Sequence, residues 1–111
     1  MADEISKELF TPVLRTHLDT FSGKNVIFVG KIKSNDGRTL TLTDKNDDEV
    51  LISDFNGDSN ITGFVEIRGV PSSSSSIEFR GLTKYNDDFN INQYEDMVQF
   101  GHDMNKECFL P

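Results

Sequence analysis

Apolar and polar residues alternate along this chain in two rhythms, a period of two through its middle and a helical period near its end. From Asn90 to Phe109 the sequence NINQYEDMVQFGHDMNKECF divides into two halves when wound at roughly 100° per residue. Ile91, Tyr94, Met97, Val98, Phe100, Gly101, Met104 and Cys108 fall on one side. Asn92, Glu95, Asp96, Gln99, His102, Asp103, Lys106 and Glu107 fall on the other, with Gln93 and Asn105 intruding on the apolar half. Asn90 is a fitting N-cap, and Gln93 three residues later makes a variant of the capping box. The apolar arc covers about 180°, wider than the roughly 100° stripe that one core requires. A helix of that kind has two neighbours to satisfy, its own domain and partner helices; the plainer alternative is a terminal helix docked only on its own sheet. Gly101, within the arc, costs about 1 kcal/mol relative to alanine and marks either a close helix approach or a kink.

The period of two governs residues 26–84. Val26 to Lys33 (VIFVGKIK) is the strongest strand, with Val26, Phe28, Gly30 and Ile32 on one face and Ile27, Val29, Lys31 and Lys33 on the other. Gly30 at its middle predicts a bulge or sharp bend. Asp36-Gly37 marks a hairpin. Thr39–Asp44 and Glu49–Ser53 complete a three-stranded meander, with Leu40 and Leu42 inward. Asp54–Thr62 is a polar connection. Gly63–Val70 and Ile77–Lys84 are two further strands, with Val65, Ile67, Ile77 and Phe79 inward, separated by Pro71 and a Ser72–Ser76 run that predicts a flexible loop. Ahead of the strands, residues 1–11 read as a flexible segment, and Pro12–Phe21 as a short helix capped by Thr11. Five short strands with a bend glycine in the first fit a small closed all-β barrel. The OB-fold is the common five-stranded solution, favoured over an SH3-like barrel by the connection between strands three and four. The expected architecture is one domain over 1–111, a barrel at about 24–85 and a long C-terminal helix at about 90–109.

Charge narrows the function. The net charge is −8, which disfavours a protein whose only task is gripping phosphate. The acid is concentrated at one end: residues 24–84 hold eight Lys/Arg against nine Asp/Glu, whereas 85–111 hold one Lys against six acids. The single cysteine, Cys108, allows neither an internal disulfide nor a cysteine-based metal site, and its place four from the end is no prenylation signal with Pro111 last. His17 stands alone and reads as a surface residue. Asp44-Asn46-Asp48 and Asp54-Asn56-Asp58 begin like calcium loops, but Glu49 and Ser59 occupy the position that needs glycine, and Phe55 and Val65 the one that needs glutamate. They read as solvated turns. The chain carries no GxSxG, phosphate-cradling glycine loop or Ser/His/Asp grouping, so neither an enzyme nor a cofactor site is expected. A start lacking a basic, apolar leader and the absence of a membrane-length apolar run point to an intracellular protein, which sets aside the sequon at Asn60.

OB barrels bind single strands with stacking aromatics and basic residues. Here Lys31, Lys33, Arg38, Arg68 and Arg80 supply a modest basic face for weak DNA contact. The second and third strands turn threonines outward and offer no aromatic; Phe28, Phe64 and Phe79 read mainly as core. The order and spacing of several segments together carry a resemblance. These are Leu18 and Phe21, then Val26-Ile27-Phe28-Val29-Gly30-Lys31-Ile32, Leu42-Thr43-Asp44, Gly63-Phe64-Val65-Glu66-Ile67-Arg68-Gly69, and Tyr94-Glu95, Val98 and His102-Asp103. From about Leu18 to Met104 the chain resembles the smallest-subunit family of the eukaryotic replication protein A complex. The resemblance implies a nuclear heterotrimer that holds single-stranded DNA in replication, repair and recombination. In it the C-terminal helix would join one helix from each of two larger OB-fold subunits through Ile91, Tyr94, Met97, Val98, Phe100, Gly101 and Met104. The small subunit of a telomere-capping trimer shares that architecture and is the near alternative. A stand-alone single-strand-binding OB module is the distant one. An unpartnered helix face of this width would also favour a homodimer of the isolated chain.

Overall fold

The structure, a computed structural model, describes residues 10–108, with side chains to Met104 at the C-terminal end. Strands β1 (Thr11–Pro12), β2 (Val26–Asn35), β3 (Leu40–Thr43), β4 (Glu49–Ser53), β5 (Phe64–Ser73) and β6 (Ser76–Lys84) precede helix α1 (Ile91–Cys108). The sheet order is β1-β2-β3-β4-β6-β5, and β2 pairs again with β5. Strands β2 to β6 therefore close into the five-stranded OB barrel, with β1 added in parallel outside the closure.

Closure depends on β2 serving two neighbours. Its first half, Val26–Lys31, pairs with β5, and its second half, Lys31–Asn35, pairs with β3. Lys31 is the pivot, opposite Phe64 on one side and Thr43 on the other. The expected bulge is in this strand but not at Gly30: the register shifts between Ile32 and Ser34. Gly30 serves close approach instead, because a Cβ there would lie 2.8 Å from the Thr43 carbonyl oxygen. A second irregularity, between Arg68 and Gly69, leaves Arg80 without a cross-strand partner in β5. There a Cβ on Gly69 would lie 2.2 Å from the Glu78 carbonyl oxygen.

The alternation places the core as the sequence predicts. Val26, Phe28, Leu40, Leu42, Val50, Ile52, Val65, Ile67 and Ile77 are buried in one cluster, with Ile32, Phe79 and Leu82 packed against it. The polar connection after β4 adds a core residue of its own. Phe55 is buried, its amide donates to the Arg38 carbonyl at 3.0 Å, and its ring meets Phe79 edge-on.

Two segments differ from expectation. Pro12–Phe21 is not a helix. Thr11 and Pro12 pair with Val26 and Ile27, the Val13 amide continues the ladder to the Ile27 carbonyl, and only Arg15–His17 makes a 3-10 turn. Val13 and Leu18 still reach the core. Thr11 is thus part of the sheet and not of a flexible segment, and residues 1–9 of that segment lie outside the described residues. The serine run is likewise no flexible loop. It extends β5 and β6 to a Ser73–Ser76 pair around a two-residue turn. The hydroxyls of Ser72 and Ser73 each lie 2.8 Å from that of Ser76, and the Ser75 carbonyl accepts the Leu51 amide, tying the hairpin tip to β4.

Truncating Phe55→Ala should lower unfolding free energy by about 3–5 kcal/mol in chemical denaturation, as for other buried phenylalanines. Gly69→Ala should cost about 1–3 kcal/mol, because its methyl group meets backbone that cannot yield.

Candidate functional site

Helix α1 begins where the sequence places it. The Asn90 side-chain oxygen accepts the Gln93 amide at 3.0 Å, which satisfies one of the unpaired first-turn donors. The lead-in from β6 is held by aromatic rings. Phe89 lies 4.8 Å from Tyr85, 5.5 Å from Phe64 and 5.7 Å from Tyr94, centroid to centroid. The Tyr85 hydroxyl donates to one Glu66 oxygen at 2.6 Å, and Arg68 donates to the other at 2.6 Å. Burial and the adjacent Glu66 carboxylate push the Tyr85 pKa well above its usual value, and burial pushes Tyr94 up to about 12.

Beyond Tyr94 the helix shows two different faces. The face toward the barrel is partly polar. Glu95 is only 4% exposed, and its carboxylate accepts the Lys45 backbone amide at 3.0 Å. Lys45 Nζ reaches Asp96 at 3.1 Å. Burial raises the Glu95 pKa, and the Lys45 amide works against that rise. Two turns on, His102 Nε2 lies 2.8 Å from the Pro12 carbonyl oxygen, and its ring stacks on His17 with centroids 3.8 Å apart. Phe21 meets the His102 ring edge-on. His17 Nδ1 accepts the Leu14 amide at 3.0 Å, so the neutral His17 carries its proton on Nε2. Helical periodicity assigns Glu95 and His102 to the solvent half; the structure assigns them to the docking side. His17, read as a lone surface histidine, is paired with a residue 85 positions away.

The opposite face stays open. Met97 is 66% exposed, Phe100 65% and Met104 40%. Gly101 sits among them, and among the described residues nothing lies within 4 Å of where a Cβ would be. With Thr11, Pro12, Tyr94, Val98 and His102, these four residues line a groove of about 520 Å³. The expected interface set therefore divides. Val98, at 8% exposure, is already buried by the chain itself, and Ile91 and Tyr94 are half-buried. Met97, Phe100, Gly101 and Met104 remain available. The side chain of Cys108 and residue Phe109 lie outside the described residues.

The five cations are spread over β2, the β2–β3 hairpin, β5 and β6. Lys33 pairs with Glu49, Arg68 with Glu66, and Arg80 with Glu78 at 3.6 Å. Lys31 lies over the Phe64 ring at 5.9 Å. The aspartates of the calcium-like runs act within turns: Asp44 accepts the Asn46 and Asp48 amides, and Asp58 accepts that of Asn60.

The family model described as Replication factor A protein 3 matches residues 7–108. The fold is similar to a chain in a structure of Ustilago maydis replication protein A bound to single-stranded DNA, with a TM-score of 0.76 and 24% identity over 89% of this chain and 94% of that one. It is also similar to the telomere capping protein Ten1 from Saccharomyces pombe, with a TM-score of 0.69 and 14% identity over 86% of this chain and 99% of that one. A chain in the S. pombe Stn1–Ten1 complex gives a TM-score of 0.70 at 14% identity, over 86% and 93% of the two chains. No curated protein matches the sequence.

The histidine stack has a pH signature. Burial, and then the nearby His102, hold the His17 pKa below 6.5, while Asp103 works the other way. The unfolded chain therefore binds the proton more readily, and the stability that neutral His17 contributes is complete above pH 6.5 and is lost as pH falls through the folded value. Glu95 opposes this. Its raised folded pKa means that protonation on acidification relieves a desolvation cost. The difference between the wild type and His17→Gln isolates the histidine contribution. In denaturant midpoints measured from pH 7.5 to 5, the wild type should lose its advantage toward the acid end.

Proposed function

The chain belongs to the Replication factor A protein 3 family, and on that premise we propose that it is the non-catalytic assembly subunit of a nuclear heterotrimer that holds single-stranded DNA during replication, repair and recombination. Helix α1 is the assembly element, packing against one helix from each of two larger OB-fold subunits. One observation carries this reading: the apolar seam of Met97, Phe100, Gly101 and Met104 stands open on a helix whose other side is already docked. Exposed side chains of that size and spacing fit a helix-on-helix contact, where residues at i, i+3, i+4 and i+7 form one stripe. Gly101 leaves a notch in the seam that admits close approach of a facing helix.

The barrel's own part in DNA binding is minor in this account. Three of the five candidate cations are paired with carboxylates, and the helical end of the chain is strongly acidic. Single-stranded DNA is reached through the complex, with Lys31 and Arg38 as auxiliary contacts. The likeness to telomere-capping structures is one of fold. The replication reading is preferred because its family model spans nearly the whole chain.

Met97→Asp and Phe100→Asp should abolish co-purification with the two larger subunits while leaving circular dichroism and barrel stability unchanged. Retention of both subunits by these variants would refute the assembly role. Gly101→Ala should raise helix stability by about 1 kcal/mol in the isolated chain. Gly101→Phe should weaken assembly by filling the notch. Sedimentation of the isolated chain should show weak self-association that Phe100→Asp removes.

A further inference from the structure

Two buried residues of α1 face the barrel, and one of them is charged. Glu95, Val98 and His102 recur at i, i+3 and i+7, within about 60° of one another around the helix axis. Met97, Phe100, Gly101 and Met104 centre about 140° away. The docking stripe is thus centred away from the seam, with Val98 and His102 at the shared edge of the groove, and it is held at its ends by directional bonds. Glu95 takes the Lys45 amide in the β3–β4 turn. His102 meets the Pro12 carbonyl in β1 and stacks on His17. The two anchors lie two helical turns apart, about 10 Å along the axis.

We infer that Glu95 and His102 are positioning residues: a polar two-point latch fixes the rotation of α1 on the barrel and thereby the direction in which the apolar seam faces. Burial of Val98 and the ring packing at Tyr94 set the rotation less sharply, because apolar contact is nondirectional and the helix offers apolar residues over half its girth. Without the two anchors, a rotation of one residue position, about 100°, would bury Met97 in place of Val98 at little cost. With them, that rotation breaks the part-buried bond between the Glu95 carboxylate and the Lys45 amide. Loss of a buried partner costs more than the bond itself contributes. One anchor would fix a point on the helix; two fix its axis and its rotation together.

The consequence for partners rests on the assembly role proposed above, but the latch itself belongs to the isolated chain and is tested there. In nuclear magnetic resonance of the full chain, residual dipolar couplings of α1 and of β2–β6 should fit one common alignment in the wild type. In the double variant Glu95→Ala/His102→Ala the helical couplings should shrink relative to those of the barrel. The Lys45 amide should exchange roughly fivefold to tenfold faster. The thermal midpoint of the barrel should stay within a few degrees. Glu95→Gln/His102→Gln keeps an acceptor at 95 and a donor at 102 and should restore both readouts, which a purely steric role would not require. A double alanine variant that keeps the common alignment and the slow Lys45 exchange would overturn the latch. Assembly is measured separately, with the two larger subunits as probe. Weaker capture by the alanine variant, rescued by the glutamine variant, supports positioning, and equal capture by both refutes it. Failure of the wild-type chain to capture them counts against the assembly role, while the couplings still decide the latch.

Discussion

The fold depends on β2 turning from one hydrogen-bonded neighbour to another within ten residues. A strand that pairs along its whole length with two fixed neighbours makes an open sheet. This one hands its ladder from β5 to β3 at Lys31, and the sheet closes on itself. Gly30 makes the transfer sterically feasible, since the Thr43 carbonyl occupies the space a side chain would need. Closure removes the sheet edges that would otherwise invite association. It also leaves the interior to be filled by small branched residues with Phe28 and Phe55 as the large ones.

Helix position follows from closure. Because β6 runs beside β5, the chain leaves the barrel next to Phe64 and Glu66, and the Tyr85–Phe89–Tyr94 rings set the direction of departure. Parallel addition of β1 to β2 then brings Pro12 and the 3-10 turn within reach of the second half of α1. The helix is thereby stapled at its start by aromatic packing and along its length by polar bonds. Met97, Phe100 and Met104 are left exposed. The proposed assembly role uses that division, with one face of the helix spent on the barrel and the other kept for partners.

The period-two strands, their inward residues, the helix and its N-cap were legible in the sequence because each is written in local spacing. What the spacing could not convey was long-range pairing. Pro12–Phe21 has helical spacing at Val13, Leu14, Leu18 and Phe21, yet Thr11 and Pro12 are drawn into parallel pairing with a strand about 15 residues later. Phe55 sits in a stretch of Asn, Asp, Gly and Ser whose composition signals only a loop. The serine run has the composition of a flexible loop, but strand pairing continues through it on either side of a tight turn. At the site, the wide apolar arc was readable, but the wheel assumes that polar residues face water. Glu95 and His102 face a backbone amide and a backbone carbonyl, groups that a side-chain pattern does not record. The arc likewise does not show which of its edges the barrel takes, and Val98 is the residue buried there.

In the proposed assembly, one helix divides its faces between its own barrel and its partners. Oxidative footprinting by mass spectrometry addresses it directly, because Met97 and Met104 lie on the open face and form sulfoxides when exposed. Both residues should oxidise rapidly in the isolated chain and be strongly protected when the chain is assembled with two larger subunits. Equal oxidation in the free and assembled states would show that the partners bind elsewhere.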